Sequence, residues 1–401
     1  MNSFFLRCSL LTGLVWTFLV VASGAEEWPA FRGPNGSSLV PAGVLPVELS
    51  EATQQWSVSL PGRGLSGAVV VDGKVFVTAS AGTSQDRLHL LCFDAQTGKL
   101  LWERRVWATG RTMCHSKTSV AAPTPCTDGS HIYALFSSND VVCFDLQGRL
   151  CWLRGITHDY PNVSNSLGMA SSPLVSGGTL VVPVENDSES YCLGLDTASG
   201  ENRWRIDRPK GANWTSPVLA GPAVVALQSR GGVDAVGLAD GAPKWSFSGG
   251  ADTISSSCFY DGVLYVPSNG VTALEAVPNE SKPRELWQSN RLAPGTASLV
   301  VAGDAIYCLN KADVLTAGER ATGERRWQLR LQGPFCATPV SDGQHLWAVN
   351  EAGLVQVVEL GQKEGKIVST FDLGDEILAS PAVADGAIYL RSNSRLHKLA
   401  R

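Results

Sequence analysis

The chain has 401 residues, of which 17% are charged, with a formal net charge of -5. No basic run is present, which argues against a nucleic-acid surface or a patch for anionic lipid. Gly 41 and Pro 21 are abundant, as a fold of many short strands and tight turns requires.

Residues 1–25 read as a secretory signal. Arg7 supplies the positive end, a largely apolar stretch follows from Cys8 to Ala22, and Ser23-Gly24-Ala25 offers small residues for cleavage. The apolar stretch is shorter than a spanning helix needs. Export to the periplasm or beyond is therefore expected, with no transmembrane domain after cleavage. An uncleaved anchor, leaving the protein membrane-associated, is the alternative. Arg7 before Cys8 disfavours a lipoprotein start. Residues 26–48 form an N-terminal extension, and 49–401 carry a repeat.

Trp56, Trp102, Trp152, Trp204, Trp245, Trp287 and Trp327 mark that repeat, with Phe371 in the eighth place; successive gaps are 46, 50, 52, 41, 42, 40 and 44 residues. Before each marker runs one phrase. It opens with small residues and a proline, as in Ser171-Ser172-Pro173. A turn follows, often Asp-Gly as at Asp72-Gly73, then an apolar run such as Val75-Phe76-Val77, then a turn such as Asp94-Ala95-Gln96-Thr97-Gly98. Asp-Gly between apolar runs signals a hairpin, because glycine accepts positive φ. No segment keeps a 3.6-residue apolar period. Four short strands per 40–50 residues is the grammar of a propeller blade. Trp56 has no strands before it, and the last phrase, Ala379 to Leu399, has three strands and no tryptophan. The two ends together make one blade. The expected fold is all-β: an eight-bladed propeller of four-stranded antiparallel blades, closed by an N-terminal strand in the last blade.

The cysteines after residue 25 are odd in number, so one thiol at least is free. Cys143 and Cys151 flank Asp145–Arg149 and would face each other across a hairpin, a spacing that permits a disulfide. Cys114 and Cys126 are a weaker pair. No spacing suggests a metal site. His89, His131, His345 and His397 fall in strands and read as structural. Ser171, Ser216, Ser256 and Ser380 should line the central channel.

The strings from Phe93-Asp94 to Trp102 and from Leu195-Asp196 to Trp204 resemble the PQQ-like β-propeller repeat family. That family includes quinoprotein alcohol dehydrogenases and the outer-membrane assembly lipoprotein of the BamB type. The start Trp28-Pro29-Ala30-Phe31-Arg32-Gly33 resembles exported members from planctomycete-type bacteria. The quinoprotein enzymes hold PQQ under a disulfide of adjacent cysteines, beside a calcium and a catalytic aspartate. This chain has no two adjacent cysteines, and Asn186-Asp187-Ser188-Glu189 is too short for a calcium loop. Neither PQQ nor calcium is expected. The leading reading is a non-enzymatic, monomeric scaffold for an envelope protein or peptide, and the resemblance to the BamB type implies a role in outer-membrane protein assembly. The alternative is a quinone-dependent oxidoreductase or a small-molecule or sugar binder.

Two connections between blades are long. Trp102 to Pro125 spans 23 residues and Trp152 to Pro173 spans 21, against 10–13 elsewhere. Both flank the second blade. They carry the candidate binding residues Arg111, His115, Lys117, His158, Asp159 and Tyr160, because inserts on a rigid scaffold are where function concentrates. The competing reading is that they cover the mouth of the ring.

Overall fold

A computed structural model describes residues 27–34, 36–164 and 166–401; the expected signal segment 1–25 lies outside them. Thirty-two strands form eight separate four-stranded sheets, each antiparallel throughout. Helix among the described residues amounts to Ile156–Asp159 and one 3-10 turn, Glu51–Thr53. Within each blade the strands run a, b, c, d from the axis outward. Blade 1 consists of Val69–Val71, Lys74–Ala81, Arg87–Asp94 and Leu100–Trp107. Blades 2 to 7 follow in chain order, at residues 126–155, 174–207, 218–247, 258–289, 300–330 and 340–372. In blade 8, Ala382–Ala384, Ala387–Arg391 and Arg395–Leu399 take Gln54–Ser59 as their outer strand. Closure by the N-terminal strand holds.

The turns follow from their residues. At Asp72-Gly73, Asp261-Gly262 and Asp385-Gly386 both residues have positive φ, the geometry that suits the twist of a two-residue hairpin. Asp128 and Asp342 instead accept the backbone N–H groups two and three residues on, which closes the turn through the side chain.

The tryptophans are pegs between blades. Each sits at the β-bulge of its outer strand. Five of the rings cover a glycine in the c–d turn of the next blade: Trp56 on Gly98, Trp102 on Gly148, Trp152 on Gly200, Trp204 on Gly241, Trp287 on Gly323. A Cβ on any of these glycines would fall 2.5–3.0 Å from the indole, so the close approach requires glycine. Six of the seven indoles donate to a carbonyl of the next blade at 2.8–3.3 Å. Trp245, 8% exposed, packs among Val218, Ala235 and Leu264. Each peg therefore buries most of a large apolar ring, and six of them also satisfy their one donor.

The eighth place needs correction. The register puts Ser369, not Phe371, opposite Val357 at the bulge of blade 7. A peg there would have no target, because in blade 8 strand c is not joined to strand d by a turn. The N-terminal extension fills the gap instead. Leu45 and Leu49 are buried against blades 7 and 8. The Ser369 hydroxyl accepts the Leu49 N–H at 3.0 Å, and the Trp347 indole donates to the Pro46 carbonyl at 2.9 Å.

A belt of hydroxyls closes the inner ring. The backbone N–H groups of Gly67, Thr124, Ser172, Ser216, Ser256, Ser298 and Thr338 each donate to the hydroxyl of the next blade, ending on Ser380, at 2.9–3.1 Å. Ser216, Ser256 and Ser380 are channel residues as expected. Ser171 is not in the belt; it donates to the Asn213 carbonyl, and Ser172 takes its place.

Both expected disulfides are absent from this structure, where all four thiols are free. Cys143 lies opposite Trp152, and Cys151 is the extra residue in the bulge. Cys143 is buried and Cys151 exposed, with burial first and Cys151 second in pushing the Cys143 thiol up. Cys114 receives a hydrogen bond from Gln85, while Cys126 is buried with Tyr133 and Cys143.

Candidate functional site

The connections between blades and the b–c loops emerge on one face. The two inserts, 108–125 and 156–173, pack on each other there: the His115 N–H donates to the Leu167 carbonyl. Both also bind b–c loops. Gln85 accepts the Val120 N–H, and Asn186 accepts the Ser164 N–H. The Trp214 indole, from the connection between blades 3 and 4, donates to the Gly168 carbonyl at 3.0 Å. The inserts are thus fixed by backbone and indole bonds, and form a platform.

Beneath the platform lies an axial cavity of about 610 Å³. Its wall is the hydroxyl belt, and Phe31 of the N-terminal extension lines it too. The extension crosses the opposite end of the channel. Trp28 bridges Val70, Pro29 accepts the Thr127 N–H, Arg32 donates to the Ser257 and Leu299 carbonyls, and Leu39 bridges Ser341. One end is therefore closed and the other faces the inserts.

The candidate residues divide into three places. His115 and Lys117 line the cavity. Lys117 reaches across the mouth to Glu351 of blade 7 at 3.1 Å. Glu351, whose side chain is 16% exposed, also accepts from the Cys336 thiol at 2.9 Å. Burial first, then Glu351, pushes the Cys336 thiol up to about 12, so it stays protonated and unreactive at neutral pH. Glu351 raises Lys117. Such a half-exposed ion pair adds about 0–1 kcal/mol and orients the loop more than it stabilises it. Arg111 is exposed on the insert.

His158, Asp159 and Tyr160 lie elsewhere, on the flank between blades 2 and 3. Asp159 pairs with Arg154 at 2.7 Å, and the Tyr160 hydroxyl accepts from Asn202. Tyr160 also packs on Tyr191, with centroids 4.8 Å apart, while Arg205 lies over both rings. Asp159 and Tyr160 anchor the second insert, with His158 beside Asp159 in the same short helix, and the sequence reading that joined the three to His115 is corrected. His89, His131, His345 and His397 all stand in strands, as expected.

Sequence reasoning missed the platform's apolar surface. Trp107 is 68% exposed and Met113 59%, with Leu167 and Ile254 at 40% each. Met113, Leu167 and Ile254 belong to the connections on this face, and Trp107 ends the outer strand of blade 1 beside them. Large apolar side chains inside otherwise polar inserts were the available signal. Glu351 gave none, because its loop reads like any other b–c turn.

The lining does not suit a calcium–quinone pair. Among the described residues that line the cavity, Glu351 is the one carboxylate, and Lys117 and Cys336 already engage it; calcium takes six to eight oxygens.

A family described as outer membrane protein assembly factor BamB matches residues 109–260 and 269–368. The BamB of Xanthomonas campestris is 28% identical over 207 residues, 51% of this chain and 46% of that protein. The BamB of Moranella endobia is 23% identical over 196 residues, 48% and 46%. The matches span about half the length of these relatives. Among solved structures, BamB from Moraxella catarrhalis superposes with a TM-score of 0.64 at 18% identity, covering 87% of this chain and 97% of that one. Quinohemoprotein alcohol dehydrogenase from Comamonas testosteroni gives 0.68 at 13%, covering 93% and 80%. At these identities the structural likeness speaks for the fold.

Proposed function

The chain belongs to the family of outer membrane protein assembly factor BamB, and from that premise we propose that it is an exported, non-enzymatic scaffold whose insert-bearing face holds a protein of the outer-membrane assembly apparatus. The observation that carries this reading is the exposure of four large apolar side chains, Trp107, Met113, Leu167 and Ile254, on the insert-bearing face. Exposed apolar clusters rimmed by polar residues mark interaction sites, and large rings at the centre of an interface carry most of its energy. Lys117 and Glu351 sit at the rim, where charge governs encounter and register. The expected signal segment and the family together support a periplasmic location. No helix among the described residues is long and apolar enough to cross a membrane.

Trp107→Glu with Met113→Glu should weaken binding to the assembly proteins of the source envelope at least tenfold, with the circular dichroism unchanged. Undiminished binding would sink the proposal. A second reading rests on the axial cavity: a small-molecule site, with the quinoprotein dehydrogenases as structural neighbours. Uptake of PQQ with calcium by the purified protein, seen as an absorbing complex, would favour it.

A further inference from the structure

Arg391 stands at the junction of blades 8 and 1, 1% exposed. It is the last residue of strand b in blade 8, and its guanidinium points across to blade 1. One of its nitrogens, Nη2, donates to the Thr78 carbonyl at 3.0 Å. Nε and Nη1 have no acceptor. Among the described residues no carboxylate compensates the charge; the charged group that acts on it is another arginine, Arg63. A buried cation without a partner is among the most costly arrangements a fold can hold.

The surroundings show why no protein group answers it. Gly64 lies against the guanidinium so closely that a Cβ there would stand 2.2 Å from Nη2 and 2.3 Å from Nη1. The nearby acids are spoken for: Asp375 accepts from the hydroxyls of Ser392 and Ser394, and Glu376 accepts from the Asn393 amide. Arg63 itself donates to Asn393 and to the Ser116 carbonyl of the first insert. Arg63, Ser116, Glu376 and Asn393 line an open pocket of about 570 Å³ on the insert-bearing face. Solvent therefore reaches the Arg63 side of the pair.

We infer that the junction of blades 8 and 1 binds a small monovalent anion, a halide or a simple carboxylate, between Arg391 and Arg63. The two unanswered donors of Arg391 supply the hydrogen bonds, and the two positive charges supply the attraction. Burial drags the arginine down to about 9, with Arg63 adding to it, and an anion would offset both by stabilising the charged form. This inference is independent of the partner proposed above, since it concerns the ring's closure and not the platform's apolar surface.

The test is thermal unfolding of the whole protein with chloride replacing gluconate stepwise at fixed ionic strength, and a parallel series with formate. The Tm should rise by about 2 °C with chloride in the parent, stay flat in Arg391→Met, and respond less in Arg63→Gln. A formate response equal to that of chloride assigns the site to carboxylates as well; a response to chloride alone assigns it to halides. Should Arg391→Met fail to fold, Arg63→Gln and a bromide soak of parent crystals decide, by whether a bromide peak lies at the guanidinium. A parent Tm indifferent to both anions, or a response that survives both substitutions, overturns the inference.

Discussion

The junction of blades 3 and 4 and the junction of blades 8 and 1 each bury an arginine, and both carry the same peg. Trp204 donates to the Leu238 carbonyl at 2.9 Å in the first, and Trp56 to the Ala95 carbonyl at 3.3 Å in the second. In the first, Arg208 meets Glu185 at 2.9 Å, with side chains 1% and 4% exposed. It also pairs with Asp234 and donates to the Leu227 and Gln228 carbonyls. Burial lowers Arg208, but Glu185 and Asp234 outweigh it and the net shift is upward. In the second, Arg391 has one carbonyl and a neighbouring cation. One junction is electrostatically closed on itself, and the other holds a buried cation with no counter-charge among the described residues. The open one is also where the two ends of the chain meet, so the ring's seal is the part that conditions can tune.

Stripping the counter-ion from the closed junction should have the largest effect. Glu185→Leu leaves Arg208 buried with only the half-exposed Asp234 for charge and should cost about 3 kcal/mol, read from denaturant unfolding. A cost below about 1 kcal/mol would erase the distinction between the junctions.

Acid should act on the open junction next. His397 is buried in strand c of blade 8, bonded through Nδ1 to the Ser57 hydroxyl at 3.1 Å. Burial first, and Arg395 second, lower it to about 4 from 6.5. Between those pH values the unfolded chain holds a proton that the folded chain does not. Stability is therefore full above pH 6.5 and falls as pH drops towards 4, by up to about 3 kcal/mol. His397→Gln should flatten that part of the Tm–pH curve, and an unchanged slope would remove His397 from the account.

Arg391→Met should be the mildest change. Without halide it should leave stability unaltered or raise it by about 1 kcal/mol, because replacing an uncompensated buried charge by an apolar chain of similar length is neutral or favourable. A loss as large as that from Glu185→Leu would show the two arginines to be equivalent.

The tryptophan spacing carried the fold because each peg does a repeated physical task, and a repeated task leaves a periodic residue. The eighth place was misread for the same reason: Phe371 fits the spacing, but the register puts Ser369 at the bulge and the extension does the packing. The long inserts were legible as lengths, and His115 and Lys117 do reach the mouth. What spacing could not give was direction. Asp159 and Tyr160 turn outward because Arg154, Asn202 and Tyr191, on neighbouring strands, hold them there. Arg391 was invisible for a related reason. An arginine ending a strand reads as solvated, and only the pairing of blades reveals that it is enclosed.

The central claim is that the insert-bearing face docks the partner. It is tested most directly by photo-crosslinking in the source envelope, from a probe at Met113 on that face and another at Leu150, exposed where strand d of blade 2 leaves the opposite face. The Met113 probe should capture an outer-membrane assembly protein and the Leu150 probe should not. Capture from Leu150 alone, or equal capture from both, would contradict the claim.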